Sequence, residues 1–556
     1  MRLSLSYRSR LGPPIAGALA LTLVLVMNAL IPAAGPRPPF GRVVETTCQL
    51  DQLSLIRIAR GYHADRSGDV EMVPSPPNIV GAAGGRVTDQ GPWFNSQRVP
   101  LFILGPGHVP GLGFSYRAVT TAAISPTLAS LVGFEPGSWI PQEPPLLEAL
   151  RHRPDTMPPR LIVAVVWDGM GSNVLRRWLG EWPHLTSLLS HGVWFNRATV
   201  GSSPSASAAV QATIGTGVYP QTHGVVGDSF RESGIFRPAW SAGSHDLLTP
   251  TFADLYDRAH GGRPLVGLVG TNSAGLGLIG HGDALPEGDR DLVALHASSG
   301  PVTRWGIPHA TWAHNFRSVH WLHSVKGLRA FTRRADAADG AADGLWYGVR
   351  IDRLDWGFDT PGGARYESKV VEKLIRREGF GLDAVPDLLF VDYGLPQDVA
   401  RRFGMGSLPM RDTVRVMDRE LFRLWSFLSG RVGRKRTVLV LTADHGATPE
   451  PQVMDSYVID PRELRADLER RFGGQGQPPI VDGLSPTEIW LNKRSLGAGG
   501  YTAYDVSRFL LDYTVGANEG TGAHADRRMF LTAFPTNLEP GTSRRPFTPD
   551  CAAPPT

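Results

Sequence analysis

Cysteine is nearly absent from this 556-residue chain, and the two present, Cys48 and Cys551, stand near its opposite ends. Two thiols cannot build a zinc–cysteine centre, so any metal site here must be made of oxygen and imidazole ligands. The pair could staple the ends of an exported chain or remain two free thiols in the tails, and the sequence leaves both open. Charge imbalance is also missing. The formal net charge is +4, the excess is almost all arginine, and no long run of one sign occurs, which argues against nucleic acid as a partner. No repeat of solenoid period is visible.

Proline and glycine, by contrast, are plentiful (46 and 64 residues) and cluster at segment ends, as many strand–helix connections of an α/β protein require. The length exceeds a typical single domain, but large α/β folds absorb such length through insertions, so one large core with a cap is expected. The N-terminus, MRLSLSYRSRLGPPIAGALALTLVLVMNALIPAAGP, sets Arg2, Arg8 and Arg10 before an uncharged apolar run from Ile15 to Ile31. Basic flank, apolar middle and small-residue exit are export features. Residues 1–40 are therefore expected to act as a cleaved signal or a short anchor, leaving the rest extracytoplasmic, either secreted or held at the membrane.

Three short apolar runs, RLIVAVVWD (160–168), PDLLFVDY (386–393) and RTVLVLTAD (436–444), each stop at an acidic or polar residue. Their length and Val/Leu/Ile content suit strands covered on both faces, and helical patterns such as NVLRRWLGEW and RDTVRVMDRELFRLWSFL follow them. This predicts a doubly wound, mostly parallel α/β sheet, to which PLVGLVG (264–270) offers a further strand. Ligands bind beyond the carboxyl ends of such strands. The region 225–385, rich in Trp, His and Gly, interrupts the pattern and is expected to cap the site.

Asp168 in VVWDGMG ends one strand and precedes two glycines that let the backbone turn tightly; a helix N-cap is the plainer reading of the same residue. Asp444 and His445 in LTADHGATP end another strand as an adjacent carboxylate and imidazole, a donor pair suited to zinc or manganese. Ser207 opens SAAVQATIGTG, a short helix of small residues ended by Gly217. There its hydroxyl is either a cap or a nucleophile that a divalent metal could activate, beside backbone N–H groups that favour phosphate.

In combination these residues resemble the alkaline phosphatase superfamily, nearest its type I phosphodiesterase/nucleotide pyrophosphatase branch, over most of residues 155–535. The resemblance implies an alkaline phosphatase-like fold and one divalent ion, zinc foremost, held by Asp168, Ser207, Asp444 and His445. TGVYPQTHG fixes the nucleophile at Ser207, with Ser205 the nearest rival and His223 structural. The family's second metal site uses an Asp and a His four residues apart, plus a later His. Here DLLFVDYGLPQDVARRFG supplies Gln397 and Arg401 at the first two positions, and His524 in GTGAHADRRMF is the later one. Arginine cannot ligate a metal, so the second ion is in doubt unless Asp398 or Asp392 substitutes. Related extracytoplasmic transferases work with a single metal, and Arg401 could then set its guanidinium against phosphate oxygens.

RGYHADRSGDVEMVPSPPNIVG and SQRVPLFILGPGHVPGLGFSYRAVTTAAISPTLASLVGF resemble pieces that the family carries near its C-terminus, which suggests a permuted order. Residues 41–150 would complete the sheet from the N-terminal side, residues 151–541 would form the catalytic domain with its cap, and 542–556 would be a tail; the rival is a duplicated remnant packed as its own unit. Where the family has a His in that upstream part, this chain has Gln90, and no ligand is assigned there. His281, Asp283, His309, His314, His320 and His323 in the insertion are assigned no catalytic part. The resemblance implies an exported phosphodiesterase- or phosphatase-type hydrolase, or a phosphotransferase, with a phosphoseryl intermediate and a small or envelope-linked phosphoester as substrate. The alternative is a binding protein that has lost turnover with its second metal site. A sulfatase fits less well, because the core has no Cys and SSPSAS lacks the expected Arg.

Overall fold

A computed structural model describes residues 41–81, 90–135, 137, 139–151, 157–240, 246–271, 273–280, 290–298, 303–306, 316–450, 456–520 and 524–536. The apolar N-terminal run, Cys551, His281, Asp283, His309 and His314 lie outside them, and with these the expectations of an export segment and of a Cys48–Cys551 bridge. Among the described residues no helix is long and apolar enough to cross a membrane.

The two larger sheets are built, in chain order, from β1 (Val70–Pro74), β2 (Leu101–Leu104), β3 (Gly113–Thr120), β4 (Leu161–Trp167) and β5 (Gly192–Thr199). Next come β6 (Val266–Gly270), β7 (Asp291–Ser298), β8 (Thr303–Gly306), β9 (Phe316–Ser318), β10 (Asp387–Tyr393) and β11 (Thr437–Thr442), then β12 (Val481–Leu484), β13 (Glu488–Leu491) and β14 (Phe530–Pro535). The central sheet has ten strands in the order β8-β7-β6-β10-β4-β11-β2-β5-β3, with β9 beside β7. From β7 to β11 the neighbours run parallel, while β2 runs against both β11 and β5.

The pleat explains why the apolar runs are continuous. Leu161, Val163, Val165 and Trp167 face one core, whereas Ile162, Ala164 and Val166 face the other. With side chains alternating between faces, a strand covered on both sides must be apolar at every position. The covering helices are α1 (Ser172–Arg177), α2 (Ser207–Thr216), α3 (Ser273–Gly280), α4 (Pro361–Glu378), α5 (Leu395–Phe403) and α6 (Leu408–Leu428). α2 and α3 pack on one face, and α4, α5 and α6 on the other. This is the doubly wound arrangement expected.

Residues 41–150 are woven into the same layers. β2 lies between β11 and β5, β3 forms one edge, and β1 sits in a four-stranded sheet ordered β12-β13-β1-β14. Of the stretch 225–385 expected to cap the site, β6 and β7 belong to the central sheet and α4 to a covering layer; the segment containing Asp355 and Asp359 forms a cavity wall.

Candidate active site

β10, β4 and β11 are adjacent and parallel, so their carboxyl ends deliver the following residues to one edge. Asp168 leaves β4 with its N–H bonded to Tyr393 O of β10 at 3.1 Å. The next residue, Gly169, has φ +71°, a conformation natural to glycine. At Gly171 a Cβ would collide with the Gly446 backbone, so the close approach of the loops after β4 and β11 requires glycine at that point. The N-cap of α1 is Gly171, with no side-chain cap, which removes the N-cap reading of Asp168.

Ser207 is the first residue of α2, and Gly217 closes the helix at φ +73°. Ala206 occupies the cap position and no side chain caps the helix, so Ser207 is not a capping serine. All ten residues of α2 are buried. Their small size follows from the approach of α3, since a Cβ on Gly215 would stand 2.5 Å from Ile279 O. The N–H of Ala208 donates to Asp228 Oδ1 at 3.1 Å, so that backbone donor, expected to be open to phosphate, is already engaged.

Ligand atoms of Asp168, Asp444 and His445 lie within 4.8 Å of one another, and all three residues are buried. His445 Nδ1 bonds Gly446 O at 2.9 Å; a carbonyl can only accept, so Nδ1 carries the proton and Nε2 keeps its lone pair. That Nε2 lies 3.5 Å from Asp168 Oδ1 and 3.3 Å from Ser207 Oγ. Asp444 Oδ1 accepts from the N–H groups of Gly169 (3.0 Å) and His445 (2.9 Å). Its other oxygen, Oδ2, is buried with no hydrogen-bond partner among the described residues.

Burial, with the Asp444 and Asp392 carboxylates beside it, pushes the Asp168 carboxyl well above its ordinary value, against the pull of Arg401. Burial and Asp444 do the same to Asp392. Two carboxylates, an unprotonated imidazole nitrogen and a hydroxyl around one point, with an orphaned buried oxygen, suit a divalent cation of the zinc or manganese type.

Gln397 and Arg401 of α5 border the same place. The Gln397 carboxamide nitrogen is 3.0 Å from His445 Nε2 and donates to Ser207 Oγ at 3.3 Å. Arg401, largely exposed, lines the cavity that opens onto Ser207. Asp392 bonds Gln211 Nε2 at 3.3 Å, and neither it nor Asp398 joins the ligand cluster. His524 is not brought in either: it is exposed, its ring set against Tyr457, and it is absent from both the cluster and the cavity wall. Ser205 is fully buried, and His223 bonds Thr213 Oγ1 at 3.0 Å inside the core, a structural placement.

Sequence reasoning passed over several residues of this cavity. Asp228, Thr271, His296, Asp355 and Asp359 all line it. None carries a local pattern, and the fold alone brings them to Ser207. Gln90 reaches Asp228 Oδ2 at 3.4 Å, so the upstream segment comes to the rim of the site.

The profile of the type I phosphodiesterase / nucleotide pyrophosphatase family matches residues 162–495. Alkaline phosphatase PafA of Elizabethkingia meningoseptica is 19% identical over 399 residues, covering 64% of this chain and 72% of that protein. Alkaline phosphatase PhoV of Synechococcus elongatus is 22% identical over 332 residues, covering 53% and 60%. The crystal structure of wild-type PafA superposes with a TM-score of 0.45 at 15% identity, over 64% of this chain and 76% of that one. The chain, a doubly wound α/β protein, belongs to the type I phosphodiesterase / nucleotide pyrophosphatase family.

Proposed function

We propose that this family member is an extracytoplasmic, metal-dependent phosphoester hydrolase or phosphotransferase in which Ser207 accepts the phosphoryl group. The observation that carries the reading is the meeting of Ser207 Oγ with His445 Nε2, 3.3 Å apart, inside the Asp168–Asp444–His445 cluster. A divalent ion held by Asp168, Ser207, Asp444 and His445, zinc foremost, would favour the seryl alkoxide and offset charge on the phosphoryl group. Ser207 would form the bond to phosphorus as the bond to the leaving oxygen breaks, and water would then release the phosphoryl group in hydrolysis, or an acceptor alcohol in transfer. Gln397 would donate a hydrogen bond beside Ser207, and Arg401, on the cavity wall, would set its guanidinium against phosphate oxygens. His445 is oriented by its own Nδ1–H bond to Gly446 O. Extracytoplasmic action rests on the apolar run 15–31.

The same reading takes residues 41–150 as the family's C-terminal part placed at the front. It is supported by the pairing of β1 with β14, Met72 opposite Ala533, which sets early and late segments side by side.

The second reading, a binding protein without turnover, is favoured by Gln397 and Arg401 standing where the family's second-metal ligands would be. Turnover of p-nitrophenyl phosphate and bis-p-nitrophenyl phosphate with added zinc or manganese separates the two. Activity is expected, with loss of at least about a thousandfold in Ser207→Ala and a phosphoserine at 207 after acid quench. Undiminished activity in Ser207→Ala removes the nucleophile, and no turnover of either ester favours the binding protein.

A further inference from the structure

The strand order that gathers carboxylates at the carboxyl edge of the central sheet gathers cations at the other edge. β6, β10, β4 and β11 are adjacent and parallel, so their amino ends lie side by side. Arg263 shortly precedes β6, Arg160 immediately precedes β4, and Arg434, Lys435 and Arg436 lead into β11. α4 and α6 run back toward this edge before β10 and β11 begin. They bring Arg376 and Arg377, in the last turn of α4, and Arg431, just beyond α6, to the same place. Apart from the half-buried Arg160, all of these side chains are exposed.

Of the acids on the same segments, Asp387 is buried and accepts from the N–H groups of Gly381 and Leu265, both at 2.7 Å, and Glu378 accepts from Trp321 Nε1 at 2.8 Å. Asp383 is exposed, and Glu372, one turn earlier on α4, stands 3.8 Å from Arg376. Arg431, Arg434, Lys435 and Arg436 are in no ion pair among the described residues. A chain with a formal net charge of only +4 thus carries a concentrated basic face opposite the Asp168–Asp444–His445 cluster.

Two features select the partner for this face. Arg376, Ser426, Phe427, Gly430 and Arg431 line a depression of about 560 Å³. The Arg376 guanidinium is set over the Phe427 ring, 4.8 Å from its centroid, so it and Arg431 flank room enough for a phosphate headgroup. On the same edge Leu382 is 54% exposed and Met157 is 73% exposed. Arg160, three residues after Met157, ties these to the cations: its Nη1 donates to Leu382 O at 3.0 Å and its backbone N–H to Arg436 O at 2.7 Å. Aliphatic side chains set among arginines suit a bilayer, where they enter the headgroup boundary as the guanidinium groups meet phosphate. A nucleic acid strand would use the cations and leave Leu382 and Met157 in water.

We propose that the amino edge of the central sheet docks on a bilayer of anionic phospholipid, with a lipid phosphate seated between Arg376 and Arg431 and with Leu382 and Met157 at the headgroup boundary. Docked this way, the cavity in front of Ser207 faces the aqueous phase, so its ligand arrives from solution rather than from the same bilayer. The proposal does not depend on turnover at Ser207, and neither does its test. Hydrogen exchange of the full chain is followed without vesicles, with phosphatidylcholine vesicles, and with vesicles of equal parts phosphatidylcholine and phosphatidylglycerol. The apolar run 15–31 is present throughout, so it is common to both kinds of vesicle. Amides of 379–384 and 429–436 are expected to slow at least about threefold on the anionic vesicles alone, an effect that fades in about 0.5 M salt, while those of 168–171 and 444–448 keep their rates. An Arg376→Glu/Arg431→Glu variant, altered at two exposed positions, is expected to lose the slowing and keep the wild-type unfolding midpoint. Unchanged rates on the anionic vesicles, equal slowing on both kinds of vesicle, or slowing that survives the double substitution overturns the proposal. So does slowing of the same segments by a single-stranded oligonucleotide where the vesicles give none, which would assign the face to nucleic acid.

Discussion

At the residue scale, Asp168, Asp444 and His445 are the ligands through which the proposed divalent ion would be held. Asp444→Asn keeps the shape but gives up a charged ligand, so zinc affinity measured by competition with a chelating dye should fall at least a hundredfold (~10²). Unchanged affinity would place the ion elsewhere. His223 supplies a pH test away from the metal. Burial, with Arg66 and His63 adding to it, holds its pKa at about 3 against 6.5 for the free group. Between those values the unfolded chain binds a proton that the folded chain refuses. The contribution of His223 is therefore complete above pH 6.5 and is lost as pH falls toward 3, by roughly 1.4 kcal/mol per pH unit. His223→Gln, which keeps a polar group against Thr213, should flatten the slope of stability against pH in that window; an identical slope contradicts the assignment.

Asp168, Asp444 and His445 were legible in the sequence because they lie at strand ends followed by glycine, and Ser207 because the TGVYPQTHG motif sets its spacing. His296, Asp355 and Asp359 were not. They reach the cavity only through the path of the chain over the sheet, and His524 shows the reverse case, a motif match that the fold leaves outside.

At the scale of elements, β4, β6, β10 and β11 were legible because two-sided burial makes each an apolar run. α2 was legible in its span and its Gly217 stop, but the reason for its small residues lies in α3, which the sequence does not tie to it. Gly215→Ala and Gly171→Ala test these close approaches. Each should cost about 1–3 kcal/mol in chemical denaturation, since the neighbour in each case is backbone and must move. Gly171→Ala should also weaken zinc binding, because it separates the loops that carry Asp168 and His445. Gly215→Ala should leave zinc affinity near that of the wild type. A Gly171→Ala protein as stable as the wild type would mean that Gly171 does not abut the Gly446 backbone.

For the whole molecule, the decisive feature is that residues 41–150 and 151–541 share both larger sheets. The resemblance of segments near the N-terminus to the family's C-terminal part was visible in the sequence, but their strand partners were not, because strand pairing across hundreds of residues leaves no local pattern. β2 fills the place between β11 and β5. A chain beginning at residue 151 would leave both of those strands with an open edge and is expected to be insoluble or molten. A soluble fragment with a cooperative unfolding transition would show that the N-terminal segment is dispensable. The proposed divalent ion would sit at the carboxyl edge of this architecture, between the loops after β4 and β11. Anomalous diffraction at the zinc edge from zinc-loaded crystals counts the ions directly: one peak is expected, in contact with Asp168, Ser207, Asp444 and His445. No peak there, or a second of equal height beside Gln397 and Arg401, would contradict a single-metal site built on Ser207.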